Sequence, residues 1–306
     1  MKNLFKILLI IGGILMVGGI GITVAGLASA DFDMNRISYP QNEFEKKTVE
    51  YDKDFKRLDV KTIDDNIEIK KSDDEKTRIE YYISKDEKIT YKFHTDNDLK
   101  VVQDDNREWY DRISFFKEEK DHSLTIYIPK ESYEKYSLYS VTGNISSDIP
   151  LDIKGYVNIS TINGNINAKN IKAEKEITTD SVSGNIKIDN FISGEQAETH
   201  NTSGKIIING YKADKFSIYS VSGDLKIEDT VSEGVMNIKT VSGNIYLDKT
   251  NDPIKLETTS GDIKGSIGYD GIYTANTISG DVNMPASSKS GNKYEFKTVS
   301  GDIDLS

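Results

Sequence analysis

The sequence predicts an all-β protein: a parallel β-helix-like solenoid with coils of about 20 residues, preceded by one N-terminal transmembrane helix. Three observations predict it. A short motif centred on glycine recurs nine times in the C-terminal half of the 306 residues. Within each copy, apolar and polar residues alternate with the two-residue period of a β-strand. Near the N-terminus, 24 consecutive residues carry no charge.

The uncharged stretch, residues 7–30, predicts a membrane anchor that occupies residues 1–30. As a helix it would extend about 36 Å at about 1.5 Å per residue, enough to cross a hydrocarbon core of about 30 Å. Lys2 and Lys6 precede it, whereas acidic residues follow it. The positive-inside rule therefore predicts a single-pass protein of the cell membrane. Its N-terminus would be cytoplasmic, its solenoid extracytoplasmic, and its first partner the lipid bilayer around residues 7–30.

A cleaved signal peptide is the alternative interpretation of this segment. Ala28, Ser29 and Ala30 fit the small-residue pattern of a cleavage site. An apolar stretch of 24 residues is, however, longer than the usual signal-peptide core of about 7–15 residues. We therefore favour an uncleaved anchor.

Between the anchor and the repeats, two further regions are predicted. Residues 31–47 have no steady periodicity and contain Pro40, which indicates a short stalk. Residues 48–136 form an irregular β-rich cap with the first coils, since terminal repeats of solenoids are atypical. Its strand-like runs are Arg57–Thr62, Asn66–Lys70, Arg78–Ile83, Ile89–His94, Leu99–Val102 and Leu124–Pro129.

Two details of this cap carry hypotheses. The run Thr62–Ile67 resembles a degenerate copy of the repeated motif, with Asp65 at the glycine position. A less regular insert, Asn106–Lys120, contains four clustered aromatic residues: Trp109, Tyr110, Phe115 and Phe116. Such a cluster is either a contact site for a partner or a hydrophobic plug over the end of the solenoid.

The repeats occupy residues 137–306 and are typified by SVSGNI and TVSGDI. The central glycines follow one another at intervals of 21, 20, 20, 19, 20, 18, 19 and 21 residues. A period near 20 is typical of a solenoid, in which each repeat buries its apolar face only by stacking on its neighbours. The corner glycines are Gly143, Gly164, Gly184, Gly204, Gly223, Gly243, Gly261, Gly280 and Gly301.

Each glycine is predicted to lie at a corner between two strands of one coil. Phe216 and Ile218 alternate before Gly223, and Leu225 and Ile227 alternate after it. Glycine permits the positive φ or the close backbone approach that such a corner needs. An array of hairpins is the rival architecture, because S-G-N and S-G-D also resemble hairpin turns. The long return segment in each period favours the solenoid.

The chain ends in the middle of a repeat, without a visible polar cap. An uncovered last coil would expose unpaired backbone groups, which are a template for pairing with another chain. We therefore predict end-to-end self-association through residues 292–306.

Composition excludes several classes of function. Removing Lys2 and Lys6, the only charged residues of segment 1–30, leaves 37 basic and 50 acidic residues and a net charge of −13. Nucleic-acid binding needs a basic face and is not expected. Without cysteine, disulfides and thiolate chemistry are impossible. His94, His122 and His200 have no ligand partner at a suitable spacing. We expect no cofactor and no catalytic residue.

One repeated acidic position deserves a separate hypothesis. Aspartates follow several of the corner glycines, and Asp262, Asp281 and Asp302 do so in consecutive copies. If these carboxylates line one edge of the stack, they form a weak calcium-binding column. The alternative is a solvated column of turn residues, which we favour because no glycine-rich calcium loop is present.

The anchor, the irregular first half and the S-G-[ND]-apolar repeats resemble the bacterial β-strand-repeat family of putative adhesins of unknown function. Membrane-anchored proteins similar to the G component of the Lia cell-envelope-stress operon belong to that family. The resemblance covers residues 50–306 and implies a right-handed β-helix on the outer face of a bacterial membrane. It brings no established catalytic residues. Gly204 departs from the pattern because Lys205 follows it.

These observations predict a non-catalytic, membrane-anchored surface scaffold, adhesion or interaction protein of the cell envelope, whose envelope partner is an unidentified protein or glycan. An accessory sensor or regulator of a cell-envelope stress response is the alternative. A glycan-active enzyme is the third hypothesis, because β-helices also host enzymes that act on polysaccharides.

Overall fold

The computed structural model describes residues 44–107, 122–129, 132–250, 252–267 and 271–306, and all regular structure in these ranges is β-strand. The strands of the first part are β1 (Phe44–Tyr51), β2 (Arg57–Thr62), β3 (Asn66–Lys71), β4 (Thr77–Ser84), β5 (Ile89–His94), β6 (Asp98–Asp105), β7 (Ser123–Ile128) and β8 (Ser132–Ser140). The six strands β2 to β7 match the six strand-like runs of the sequence to within a few residues, whereas β1 and β8 were not among those runs.

The strands of the regular repeats follow in chain order. They are β9 (Ile145–Thr161), β10 (Ile166–Ala173), β11 (Glu176–Ser183), β12 (Ile186–Ser193), β13 (Gln196–Ser203), β14 (Ile206–Ala213), β15 (Lys215–Ser222), β16 (Leu225–Glu228), β17 (Val231–Ser232), β18 (Met236–Ser242), β19 (Ile245–Thr250), β20 (Ile254–Glu257) and β21 (Ile263–Ile267). The last four are β22 (Gly271–Asn276), β23 (Val282–Asn283), β24 (Asn292–Lys297) and β25 (Ile303–Leu305).

The repeats stack as a parallel solenoid. On the side before the glycines, β11, β13, β15, β18 and β20 pair in parallel, and on the side after them β10, β12, β14, β16, β19 and β21 do the same. Equivalent residues of successive coils therefore lie in register, and the inward Ile, Val and Leu side chains form one continuous buried core. The predicted parallel solenoid is confirmed, and the rival hairpin array is wrong for the repeats. The right-handed sense implied by the resemblance stays a prediction.

A second corner divides the strand after the glycine. Residues with positive φ recur there in successive coils, at 56° in Asn170 and Asn190, 68° in Gly210, 47° in Asp229 and 52° in Lys249. These values lie in the left-handed region, which Asn, Asp and Gly enter more readily than other residues. The sequence analysis did not identify this corner, because its residue types vary from coil to coil.

Antiparallel strands close the first end of the stack. β2 and β3 lie in register with the repeats, but their outer neighbours are β6 and β7, which come later in the chain. β5 pairs antiparallel with β6, and β1 and β4 extend the sheet antiparallel beyond β7. β1 begins at Phe44, so the last four residues of the predicted stalk, 44–47, belong to a strand.

The other end corrects the expectation of an uncovered C-terminal coil. β24 and β25 lie between the coil of β20 and β21 and the coil of β22 and β23, and pair in parallel with both. Among the described coils, 271–283 is therefore the outermost, although it precedes residues 292–306 in the chain. The segment that we predicted to be uncovered has a neighbour on each side, because the chain passes outward and then returns.

Among the described residues, no helix is long and apolar enough to span a membrane. The predicted anchor, residues 7–30, lies outside the described residues, as does most of the stalk. Trp109, Tyr110, Phe115 and Phe116 of the aromatic insert lie outside them as well.

Candidate functional site: the glycine corner

The corner glycines form one column along the stack. A methyl group placed on Gly243 would lie 2.2 Å from the carbonyl oxygen of Gly223 in the neighbouring coil, and Gly243 has a φ of +146°. Both the contact and the backbone angle exclude a side chain. In spatial order the column is Asp65, Gly143, Gly164, Gly184, Gly204, Gly223, Gly243, Gly261, Gly301 and Gly280. Asp65 thus occupies the glycine position of a degenerate first copy, as predicted.

Three residues before each glycine, a small polar side chain points inward. Its role is visible at Ser140, whose hydroxyl accepts the N–H of Gly143 at 2.9 Å. Thr298 donates its hydroxyl to the carbonyl oxygen of Gly261 at 3.3 Å. At these two positions the side chain bonds a backbone group that the corner takes out of the strand pairing, as buried polar groups ordinarily require. Within the described part of the chain, three equivalent hydroxyls are buried without a hydrogen-bond partner, those of Ser220, Thr240 and Thr258. This column is therefore structural.

The residue after each glycine supports the stack in another way. The side-chain oxygen of Asn165 accepts the backbone N–H of Asn185 at 2.8 Å, and Asn185 in turn accepts the N–H of Lys205 at 2.8 Å. Asn and Asp suit this position because their short side chains carry an acceptor oxygen within reach of the backbone N–H of the next coil. Lys205 has no acceptor, so it interrupts this column beside Asp224.

The candidate calcium-binding aspartates belong to the same column. Asp302 lies between Asp262 and Asp281, and its N–H donates to the Asp262 carboxylate at 3.0 Å, while its own carboxylate accepts the N–H of Asp281 at 2.9 Å. The ammonium group of Lys264, 2.8 Å from the Asp262 carboxylate, and the N–H of Asp302 hold the pKa of Asp262 below its usual value. Within the described ranges, no group of three or more His, Asp or Glu side chains is arranged to hold a metal ion.

Two residues before each position of the glycine column, the side chain points away from the core; it is half-buried at Ile63 and Val141 and exposed in all later coils. In spatial order these side chains are Ile63, Val141, Ile162, Val182, Thr202, Val221, Val241, Thr259, Val299 and Ile278. We call this column the apolar ridge. Its exposed fraction is 48% at Val182, 50% at Val221, 51% at Val241 and 80% at Ile278. With coils about 4.8 Å apart, the ridge is roughly 43 Å long.

The ridge is bordered by uncharged residues. In the nine glycine-containing coils, the residue between ridge and glycine is a serine, Thr142 or Asn163. In a chain of which 29% is Asp, Glu, Lys or Arg, two adjacent columns without a charge stand out. Contiguous exposed apolar surface of this kind is typical of an interaction site rather than of an ordinary surface.

A largely buried ionic cluster lies at the first corner. The guanidinium of Arg107 contacts Asp105 and Asp64, both at 2.8 Å, and the three side chains are largely buried. Nearby, the hydroxyl of Tyr91 donates to the carboxylate of Asp65, and burial raises the pKa of Tyr91 well above its ordinary value. The cluster holds the β5–β6 hairpin against the corner. Its charged and hydroxyl groups pair with one another.

His200 has partners that the sequence analysis missed. Its Nδ1 lies 2.7 Å from the carboxylate of Asp180, and its ring stacks on Tyr219 with the ring centres 5.3 Å apart. The three residues are 20 and 19 positions apart in sequence, so the repeat period itself is the signal that would have brought them together. They form an outward ladder on the strand before the glycine.

Comparison with known proteins adds a family and a fold. The Toastrack DUF4097 family matches residues 55–306. No curated protein matches the chain. A solved structure of a putative lipid binding protein from Parabacteroides distasonis is 15% identical, with a TM-score of 0.53, over 87% of this chain and 98% of that one.

Two solved structures of putative adhesins also match. The one from Bacteroides fragilis is 18% identical, with a TM-score of 0.44, over 88% of this chain and 100% of that one. The one from Parabacteroides merdae is 13% identical, with a TM-score of 0.47, over 87% of this chain and 97% of that one. At these identities the likeness concerns the fold alone.

Proposed function

The chain belongs to the Toastrack DUF4097 family, and we propose that it is a non-catalytic interaction scaffold of the cell envelope that contacts its partner through the apolar ridge. The ridge is the observation that carries the proposal. Among the repeated positions of the corner, it is the one that places apolar side chains outside the core.

Folding does not require apolar side chains on the ridge. Thr202 and Thr259 occupy the same column, and threonine has the same branched shape as valine and a similar preference for strands. The valines and isoleucines elsewhere in the column therefore add exposed apolar area beyond what the strand needs. An apolar line bordered by small hydroxyl side chains fits an extended apolar surface on another envelope component.

The repeated polar residues support a role without catalysis. The hydroxyl of Ser140 and the carboxylate of Asp302 bond backbone groups, and the equivalent hydroxyls of Ser220, Thr240 and Thr258 are buried away from solvent. A catalytic acid, base or nucleophile must instead have a free atom within reach of a substrate. We propose that these side chains hold the coils in register and keep the ridge straight.

We further propose that residues 7–30 tether the solenoid to the outer face of the membrane, as the charge distribution of the N-terminus predicts. The irregular end, which contains β1, then faces the membrane, and the coil 271–283 is the distal end. A tethered stack of this kind presents its ridge over a roughly 43 Å line. A sensor role that acts through the anchor stays a prediction from the sequence.

Site-specific photo-crosslinking in the protein's own cells tests the ridge. A benzophenone side chain is introduced at Val221 of the full-length chain, and a second chain carries it at Val231. The two valines are equally exposed, at 50% and 53%, but Val231 lies on β17, away from the ridge. We expect covalent adducts with another envelope component from Val221 and only background from Val231.

A second ridge position, Val241, repeats the measurement one coil further along the stack. Adducts of the same size from Val221 and Val241 support a partner that runs along the ridge. Adduct yields from both ridge positions that do not exceed the yield from Val231 overturn the proposal.

A further inference from the structure

The C-terminal segment 292–306 fills a slot between two other coils of its own chain. On one side, Ile303 pairs with Ile263 and Tyr294 with Ile254. On the other side, the same two residues pair with Val282 and with a tyrosine of β22. The segment therefore has a hydrogen-bonded strand neighbour on both edges, as a strand in the middle of a sheet has.

One short strap connects this segment to the rest of the chain. Residues 284–291, which contain Pro285, pass across the outside of the last coil without forming a strand. The strap contacts that coil through the N–H of Ser288, which donates to the carbonyl oxygen of Gly271 at 2.8 Å, and through Ser287, whose hydroxyl accepts a backbone N–H at 3.1 Å. Because the strap forms no strand of its own, it can serve as the hinge on which the segment leaves its slot.

The side chains of the segment explain why it occupies the inner position. Its inward residues, Tyr294, Phe296, Ile303 and Leu305, are almost completely buried. The corresponding residues of the outer coil are Tyr273, Ala275, Val282 and Met284. Phe and Ile bury more apolar surface than Ala and Val. The folded chain therefore has a lower free energy when the segment with the larger side chains, 292–306, has a neighbouring coil on both sides.

Charge also matches the segment to its slot. The parallel register places Glu295 beside Lys255, and Lys297 beside Glu257. If the outer coil moved into the slot in the same register, it would place Thr274 and Asn276 beside these charges instead. Opposite charges on directly adjacent residues stabilise strand pairing, whereas neutral residues add no such term. A vacated slot is therefore completed better by a segment 292–306 than by the outer coil.

From these observations we propose that segment 292–306 exchanges between two copies of this chain, so that each copy fills the slot of the other. The strap 284–291 is the hinge. An exchanged segment makes the same hydrogen bonds and core contacts as the resident one and keeps the same charge register, because its sequence is identical. The partner is thus a second copy of the chain, joined through its slot rather than through the outer edge of β22. The inference is independent of the ridge.

Engineered disulfides test the exchange, because the chain has no cysteine of its own. Ser260 and Ser300 are exposed and form a parallel bridge across the slot boundary. Adjacent strands bring such positions within the range of about 4.4–6.8 Å that a disulfide needs. Full-length Ser260→Cys and Ser300→Cys chains with different tags are mixed in detergent micelles, incubated and oxidised.

A matched pair supplies the control. Ser242 and Ser260 form the same kind of bridge one coil earlier, where neither residue belongs to the exchanging segment. We expect the Ser260→Cys and Ser300→Cys mixture to give covalent heterodimer at a yield at least about tenfold above that of the Ser242→Cys and Ser260→Cys mixture, because only exchange brings the first pair within disulfide reach. A Ser260→Cys/Ser300→Cys double variant, oxidised before mixing, should no longer exchange.

Equal heterodimer yields from the two mixtures overturn the proposal. Association of two copies through the outer edge of β22 also overturns it, since that arrangement leaves Ser260 of one copy far from Ser300 of the other. It would appear as a non-covalent dimer without the specific disulfide.

Discussion

The corner contains two columns only two residues apart, and the structure uses them in opposite ways. The glycine column lies against the backbone of the neighbouring coil, where a methyl group on Gly243 would meet a carbonyl oxygen at 2.2 Å. The apolar ridge lies in solvent, with half of Val221 and Val241 exposed. Both columns repeat along the stack with the same period. Repetition in sequence therefore does not by itself distinguish a folding requirement from a binding surface.

The largest expected effect comes from breaking the glycine column. Gly243→Ala should lower the free energy of unfolding by about 3 kcal/mol or more, because the methyl group clashes with backbone and the φ of +146° strains any other residue. Gly210→Ala is the control, since its φ of +68° and its nearest neighbour at 3.5 Å leave room for a methyl group and predict a loss of about 1–2 kcal/mol. Urea unfolding of the full-length chain in detergent, followed by circular dichroism, measures both. Equal losses would contradict a close-packed column.

A smaller effect of opposite sign should come from repairing the interrupted column after the glycines. Lys205→Asn supplies a side-chain oxygen for the backbone N–H of Asp224, as Asn185 does for Lys205 at 2.8 Å. One partly solvated hydrogen bond predicts a gain of about 0.5–1 kcal/mol in the free energy of unfolding. Lys205→Ala removes the charge without adding an acceptor and should show no gain. A gain in both variants would attribute the effect to charge and contradict our interpretation.

An effect of comparable size, but dependent on pH, is expected at Asp262. Lys264 and a backbone N–H lower the pKa of Asp262 in the folded protein below the ordinary 3.8. Its stabilisation is therefore present above that pH and is lost as the pH falls through the folded-state pKa. Asp262→Asn keeps the acceptor but removes the charge, so it should cost at most about 1 kcal/mol at pH 7. Unfolding midpoints of the variant and the parent should converge below pH 3.8; a constant difference would contradict the assignment.

Much of the architecture was predictable, because the period and the alternation are local properties of the sequence. They located the solenoid, its glycine corner and the strand-like runs of the first part. The second corner was missed, since Asn170, Gly210 and Lys249 share a backbone angle but no side-chain type. The exposure of the ridge was not predicted either, because strand alternation does not continue through a corner.

The order of the last two coils shows a different limit. Sequence order suggested that residues 292–306 end the stack. The structure instead places them between the coil of β20 and β21 and the coil 271–283. Comparing the inward residues of the two copies, Phe296 against Ala275 and Ile303 against Val282, would have revealed the preference. The reason is that a later coil can pair between two earlier ones, which repeat spacing alone does not report.

The smallest expected effect on stability belongs to the ridge, and it gives the most direct test of the central claim that the ridge serves binding and not folding. The variant Val182→Thr/Val221→Thr/Val241→Thr keeps the branched side-chain shape that Thr202 and Thr259 already have in this column.

In this variant, a benzophenone side chain at Thr202 reports binding, and urea unfolding reports stability. We predict a change of at most about 0.5 kcal/mol in the free energy of unfolding, as for surface substitutions that break no contact, together with loss of the covalent adducts that the same probe gives in the parent chain. Unchanged adduct yield, or a clear loss of stability, would contradict the account.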